Sequence, residues 1–165
     1  MIIWLASYPK SGNTWLRSLI ANYYFSETGD FNFELLEKID SFPSNKYFRK
    51  YLDKFNQPHD TSKYWIKEQE KINQSKGLKF FKTHNALCKI DGNQFTNKEN
   101  TLGVIYIIRD PRNVITSLSN HYQISVEDAF RTIISAGIVN PDEKNNTTNP
   151  TFSKLFSQLR ASTNT

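Results

Sequence analysis

The sequence lacks the features on which disulfide-bonded, zinc-binding and membrane-spanning proteins depend. Its one cysteine, Cys88, cannot form an internal disulfide, and no group of His and Cys residues surrounds it. The longest apolar runs, residues 2–6 and 104–108, are too short to cross a bilayer, and no basic segment precedes the first one. We therefore expect a soluble, cytoplasmic protein in a reducing compartment, with no structural zinc and no membrane partner.

Acidic residues are also fewer than basic ones. The chain has 165 residues, with 21 Lys and Arg against 16 Asp and Glu, and a formal net charge of +5. This excess permits phosphates, nucleic acid or acidic membranes as partners, and does not choose among them. The lysines are spread along the chain without forming a basic stripe, which disfavours nucleic-acid binding. The ordinary composition excludes collagen-like, coiled-coil and wholly disordered chains and predicts one globular domain.

Short apolar segments alternate with helical patterns. Residues 2–6 predict a strand, and turn-forming residues follow it. A helix comes next, because apolar residues recur at helical spacing, and Thr14 is available near its start as a cap. These apolar residues are Trp15, Leu16, Leu19, Ile20 and Tyr23. Further helical periodicity occurs at 33–39 and 64–72, separated by a break near Gln57 and Pro58. A strand that opens into a helix N-terminus directs N–H groups and the helix dipole toward an anion.

The second half continues the alternation. Residues 78–82 predict a second strand, and the unbroken apolar run at 102–108 is typical of a central parallel strand covered on both faces. Asp110 and Pro111 are expected to cap and open a helix, and the capping-box pattern at 125–128 begins another. A polar stretch at 140–149 and an amphipathic segment at 152–159 follow. The order indicates an α/β fold with a mainly parallel sheet, whose ligands bind beyond the strand ends.

The first candidate site is residues 8–15, Tyr-Pro-Lys-Ser-Gly-Asn-Thr-Trp. It is not the usual Gly-x-x-x-x-Gly-Lys-Ser/Thr loop, because its lysine precedes its only glycine, but it has the same components. Gly12 allows backbone to approach an anion, Lys10 adds a charge, and hydrogen-bond donors come from Ser11, Asn13 and Thr14. A tight strand–helix turn with a solvated lysine would contain the same residue types.

Two further groups follow other predicted strands. Arg109 and Ser117 lie eight positions apart across a predicted helix start, where they could hold one phosphate from two sides. The alternative is that Arg109 is an ordinary surface arginine and that Ser117 faces solvent. In Lys82-Thr83-His84, the histidine can accept a proton near neutral pH and the lysine shares its face of the strand. A structural histidine is the alternative.

Together these segments resemble the sulfotransferases that use 3′-phosphoadenosine-5′-phosphosulfate (PAPS). Residues 8–15 are similar to that family's 5′-phosphosulfate loop, with Asn13 at a position where Thr is usual, and residues 105–117 are similar to its 3′-phosphate segment. The resemblance covers residues 2 to about 122. It implies a P-loop-type three-layer α/β domain with helices on both sides of the sheet.

The resemblance also implies roles for single residues. The PAPS-binding residues would be Lys10, Ser11, Gly12, Asn13, Thr14 and Trp15 for the phosphosulfate and adenine, with Arg109 and Ser117 for the 3′-phosphate. His84 would be the catalytic base, with Lys10 and Lys82 stabilising charge in an in-line transfer of the sulfuryl group to a hydroxyl or amine. No metal is expected, since the transferred group carries one negative charge and lysines can replace Mg²⁺.

The chain departs from the family in one respect. It contains no Gly-x-x-Gly-x-Trp-Lys segment after residue 122, so we expect a single domain, 1–165, without the family's C-terminal portion. A truncated, non-catalytic nucleotide-binding or interaction module is therefore an alternative function. A kinase or nucleotidase would need Mg²⁺ ligands and a glycine loop that the sequence does not have. The acceptor, a small molecule or a carbohydrate, and the oligomeric state are left open.

Overall fold

A computed structural model describes residues 1–51 and 58–137. These form two compact units, Met1–Arg109 and a second that begins at Asp110, and each is described by itself. The first contains, in chain order, β1 Ile2–Ser7, α1 Asn13–Phe25, a 3₁₀ helix Phe33–Lys38, β2 Asp40–Ser41, α2 Asn45–Phe48, α3 Pro58–Ser62, α4 Trp65–Gln74, β3 Lys79–Thr83, β4 Lys89–Ile90, β5 Asn93–Gln94 and β6 Thr101–Ile107. The second contains α5 Pro111–Tyr122 and α6 Val126–Gly137.

The first unit is built on a four-stranded sheet in the order β2-β3-β1-β6. Every neighbouring pair is parallel, with Leu5 of β1 opposite Lys82 on one side and Ile105 on the other. The carboxyl ends of the strands therefore lie along one edge of the sheet. The predicted α/β class with a mainly parallel sheet is confirmed.

The position of β6 differs from the prediction. Its apolar run predicted a central strand covered on both faces, but β6 pairs only with β1 among the described strands. Val104 is 56% exposed and Tyr106 is 63% exposed. The prediction was wrong because a run of β-branched and aromatic residues reports strand propensity, which edge and central strands share.

Side chains alternate between the two faces of the sheet, and each face has its own core. Ile2 and Trp4 of β1 point to one face, where the buried cluster is completed by Phe42, Phe48, Trp65, Phe81 and Phe95. Leu5 and Phe80 point to the other, with Ala21 and Ile39 buried among side chains of α1 and the 3₁₀ helix. Helices thus cover both faces, as a three-layer arrangement requires.

Trp4 is the centre of the first core. Its indole is 1% exposed, and its ring centroid lies 5.8 Å from that of Phe42, 6.0 Å from Phe81 and 5.1 Å from Phe95. The indole Nε1 donates to Thr101 Oγ1 at 3.0 Å, so the one polar group of this side chain is satisfied. Trp4 therefore joins β1 both to the aromatic core and to the start of β6.

The second unit confirms the helix signals read from its sequence. Asp110 caps α5 by accepting from the Arg112 backbone N–H at 2.9 Å, with Pro111 as the first helical residue. Ser125 caps α6 by accepting from the Asp128 N–H at 3.0 Å. Both caps satisfy N–H groups that have no partner within their own helix.

The remaining helix and strand predictions hold with small changes. The pattern at 33–39 forms a 3₁₀ helix, that at 64–72 forms α4, and the strand predicted at 78–82 is β3. The segments at 140–149 and 152–159, and Gln57, lie outside the described residues. Within the described part of the chain, no helix has both the length and the apolar character needed to cross a bilayer.

We expect Trp4→Ala to lower the free energy of unfolding by about 3–5 kcal/mol, since it removes a fully buried indole and leaves a cavity between three aromatic rings. Trp15→Ala is the matched control, because Trp15 is 77% exposed and its loss should change stability by less than about 0.5 kcal/mol. Urea denaturation of both variants measures the difference, and equal losses would contradict the position of Trp4 in the core.

Candidate active site

The loop between β1 and α1 turns through two left-handed backbone conformations. Lys10 has φ 65° and Gly12 has φ 105°, and the Ser11 N–H donates to the Tyr8 carbonyl at 3.2 Å. Gly12 is the N-cap of α1, and its carbonyl accepts the first helical hydrogen bond from Leu16 at 3.2 Å. A positive φ favours glycine, which is why the cap is Gly12 and the prediction of Thr14 was wrong.

Asn13 fixes this loop to the strand that precedes it. The side chain is 4% exposed, and its Nδ2 donates to the Leu5 carbonyl at 2.8 Å and to Ser7 Oγ at 3.1 Å. Its Oδ1 is buried with no hydrogen-bond partner among the described residues. Both donors of the amide are therefore used inside the protein, and the buried Oδ1 only accepts, so the side chain has no donor left for an anion. The predicted cofactor role of Asn13 stays a prediction.

His84 follows β3 and is held against the end of β1. Its Nδ1 lies 2.8 Å from the Ser7 carbonyl oxygen and 3.3 Å from Ser7 Oγ. A carbonyl oxygen only accepts, so we infer that Nδ1 carries the proton and donates to it. In the neutral ring this leaves the lone pair on Nε2 available to accept a proton.

The surroundings of His84 favour the neutral ring. Burial lowers the pKa of His84 below its usual value, and the charge of Lys82 lowers it further, while the hydrogen bond to Ser7 acts in the opposite direction. The ring is still reached by solvent. His84 therefore combines a fixed orientation with an unprotonated Nε2 near neutral pH, as a general base requires.

Lys82, near the carboxyl end of β3, is close enough to two other cations for their charges to act on it. Burial lowers the pKa of Lys82, and the positive charges of Arg17 and Lys10 lower it further. None of the three forms an ion pair with a carboxylate among the described residues. Like charges held together without a counter-charge are unfavourable, and a bound anion would relieve the repulsion.

Sequence reasoning missed Arg17. Its Nη2 donates to the Leu36 carbonyl, and its Nε is buried without a partner among the described residues. Burial lowers the pKa of this guanidinium. A basic residue in the second turn of the helix that follows the candidate anion-binding loop was the available signal, since the start of that helix faces the same space as the loop.

Arg109 connects the end of β6 to the loop. Ile107 pairs with Ser7, so the residues after β6 reach the same edge of the sheet. The Arg109 Nη1 donates to the Lys10 carbonyl at 2.9 Å, and the side chain is otherwise exposed. The structure thus brings four of the predicted site residues to this edge of the sheet, namely Lys10, Lys82, His84 and Arg109.

The other predicted residues occupy different environments. Ser11 is 7% exposed, whereas Thr14 is exposed and Trp15 presents 77% of its surface to solvent. Ser117 lies half-buried on α5, in the second unit, so its predicted pairing with Arg109 stays a prediction. Among the described residues no group of three or more His, Cys, Asp or Glu side chains could hold a metal ion.

This arrangement defines a parallel α/β protein with a cationic loop, a helix N-terminus and an oriented histidine at one sheet edge. A comparison with protein families matches residues 2–161 to the family described as the sulfotransferase domain. Because the match covers nearly the whole chain, the protein belongs to this family, and the resemblance seen in the sequence is confirmed. A search of curated proteins found no match.

Replacing Lys82 with Gln should raise the pKa of His84, because a positive charge that disfavours the imidazolium is removed. The His84 pKa can be measured by NMR titration of the ring protons. Lys89→Gln serves as the control, since Lys89 is exposed on β4 and does not contribute to the His84 shift. A His84 pKa that stays unchanged in Lys82→Gln would contradict the coupling.

Proposed function

We propose that the protein transfers a sulfuryl group from PAPS to a hydroxyl or amine acceptor by in-line displacement. Family membership supports sulfotransfer in general. The observation that carries the finer proposal is the hydrogen bond of His84 Nδ1 to the Ser7 carbonyl, at 2.8 Å, near Lys82. Lys82 in turn is close to Lys10 and Arg17, and the described residues offer these three cations no ion pair with a carboxylate. An oriented base next to a cationic anion site is what this transfer requires.

The residues present fit PAPS, because the donor is an anion and, in the part of the chain that the structure describes, the cations of the site form no ion pair with a carboxylate. The buried Nε of Arg17, which has no partner in that same part of the chain, also has a donor to offer. Residues 10–15 would hold the phosphosulfate, with Trp15 beside the adenine, and Arg109 and Ser117 would hold the 3′-phosphate. Bound PAPS supplies an activated sulfuryl group of low charge, for which we propose that no metal is needed.

His84 would accept the proton of the acceptor at Nε2, a contribution typically worth about 10²–10⁴-fold in rate. Lys10 and Lys82 would stabilise negative charge that develops on oxygen during transfer. The backbone hydrogen bond of His84 keeps Nε2 directed outward, so the base needs no reorientation before it acts.

Titration with adenosine 3′,5′-bisphosphate and with AMP tests the nucleotide site. Arg109→Ala should weaken binding of the bisphosphate by roughly 10- to 150-fold, the effect of losing a charge-assisted contact to the 3′-phosphate, and should hardly change binding of AMP. The control is Arg49→Ala, which removes an exposed arginine near the end of α2. Equal losses for both nucleotides would contradict a 3′-phosphate site at Arg109.

His84→Ala should reduce turnover about 10²- to 10⁴-fold while leaving bisphosphate affinity unchanged, because Nε2 acts on the acceptor. Release of the bisphosphate from PAPS measures turnover, with phenols and sugars offered as acceptors. His121→Ala is the control variant.

The same assay, repeated with a chelator, tests the need for a metal. Activity that the chelator abolishes and Mg²⁺ restores would contradict the metal-free reaction. Bisphosphate binding without turnover on any acceptor would favour the non-catalytic nucleotide-binding module.

A further inference from the structure

Two tyrosines stack on each other on the surface beside the first core. Tyr51 follows α2 and Tyr64 precedes α4, and their ring centroids lie 4.1 Å apart with an interplanar angle of 4°. Both side chains are half-buried. The stack therefore joins the segment after β2 to the helix that precedes β3, and gives this part of the surface a fixed shape.

Four exposed lysines surround the two rings. The Nζ atoms of Lys50, Lys67 and Lys71 lie 5.3, 5.5 and 5.1 Å from the centroid of Tyr51. Lys63 Nζ lies 5.1 Å from the centroid of Tyr64. We call these six residues the lysine–tyrosine cluster. Lys67 and Lys71 share one face of α4 because residues four apart are neighbours on a helix, and Lys63 lies in the turn before that helix.

The cluster has more positive charge than its surroundings balance. Glu68 accepts from Lys50 Nζ at 2.5 Å, from Lys71 Nζ at 3.0 Å and from Tyr51 Oη. Although burial alone would raise the pKa of Glu68, these hydrogen bonds lower it, so the carboxylate stays charged. Lys63 and Lys67 have no ion-pair partner in the described part of the chain, whereas Lys50 and Lys71 share the single carboxylate of Glu68.

The cluster begins at the same edge of the sheet as the candidate active site. Ser41 of β2 pairs with Lys82, and the Phe42 N–H donates to the Lys82 carbonyl at 2.9 Å. Lys50 lies only eight residues further along the chain, a distance of at most ~29 Å if fully extended and less because α2 intervenes. A polymer bound at the cluster can therefore reach the site of His84.

The geometry favours one kind of polyanion. Proteins that bind single-stranded nucleic acid stack bases on open aromatic faces. Here the rings of Tyr51 and Tyr64 cover each other, and ammonium groups lie over the rings as well. A polysaccharide with carboxylate or sulfate groups needs no open ring, and it has the hydroxyl groups that sulfotransfer consumes.

We propose that the lysine–tyrosine cluster binds an acidic polysaccharide and that a hydroxyl of this polymer is the acceptor. This rests on the proposed function, because the second part requires sulfotransfer. The binding of the polymer by the cluster requires only the charges and shape described above, so the two parts can be tested separately.

The first test is a calorimetric titration of the full chain with a hyaluronan octasaccharide, which has carboxylates and hydroxyls but no sulfate. We expect binding that weakens with added salt, because exposed charges are screened. The double variant Lys63→Gln/Lys67→Gln should bind about 3- to 10-fold more weakly, given the usual strength of exposed ion pairs. Neither lysine has an ion-pair partner among the described residues, so the variant should fold normally, which circular dichroism checks.

The matched control is Lys76→Gln/Lys98→Gln. It removes the same charge from exposed positions that precede β3 and β6, at the opposite edge of the sheet. This variant should bind the octasaccharide like the unmodified protein. Equal weakening in both double variants would overturn the proposal, since only net charge would then matter. Equal binding of a neutral oligosaccharide of the same length would also overturn it.

Further titrations separate this inference from the proposed function. Tighter binding of single-stranded DNA or of poly-glutamate than of the octasaccharide would overturn the assignment to a polysaccharide. Normal binding of adenosine 3′,5′-bisphosphate without octasaccharide binding would overturn this inference alone. Octasaccharide binding without bisphosphate binding would overturn the proposed function and the acceptor assignment, and would leave the cluster as a polysaccharide-binding surface.

Discussion

The candidate site depends on the hydrogen bonds that meet at Ser7, the last residue of β1. Its carbonyl accepts from His84 Nδ1, its Oγ accepts from Asn13, and its backbone pairs with Ile107 of β6. One residue thus fixes the histidine after β3, the loop before α1 and the end of β6. Parallel pairing makes this possible, because it brings three strand ends to one edge, where the carbonyl, hydroxyl and backbone of a single residue can contact all of them.

The electrostatics of the site follow from the same placement. Lys10, Arg17 and Lys82 are held near one another by different elements, and burial prevents water from fully screening their repulsion. The positive charge of Lys82 also disfavours the imidazolium form of His84. The same lysine that would attract an anion therefore also favours the neutral ring of His84, so an anion bound there would be coupled through charge to the protonation of this histidine.

The loop at residues 8–15 and the flanking strand and helix could be predicted from sequence, because turn residues and apolar spacing act locally. The burial and unpartnered Nε of Arg17 and the tautomer of His84 could not, since both depend on contacts between residues distant in the chain. The edge position of β6 was missed because strand propensity does not encode neighbours. The lysines looked dispersed for the same reason, since Lys50 meets Lys67 and Lys71 only when two segments pack together.

The two groups of cations differ in how their charge is held, and this suits them to different ligands. Lys82 is half-buried and has no ion-pair partner in residues 1–51 and 58–137, so its attraction for a small anion would be weakly screened by salt. The lysines around Tyr51 are exposed, and buried Glu68 anchors two of them. Each exposed charge contributes little alone, so this surface gains affinity only from a ligand that contacts several charges at once. A polyanion meets that condition and a small acceptor does not.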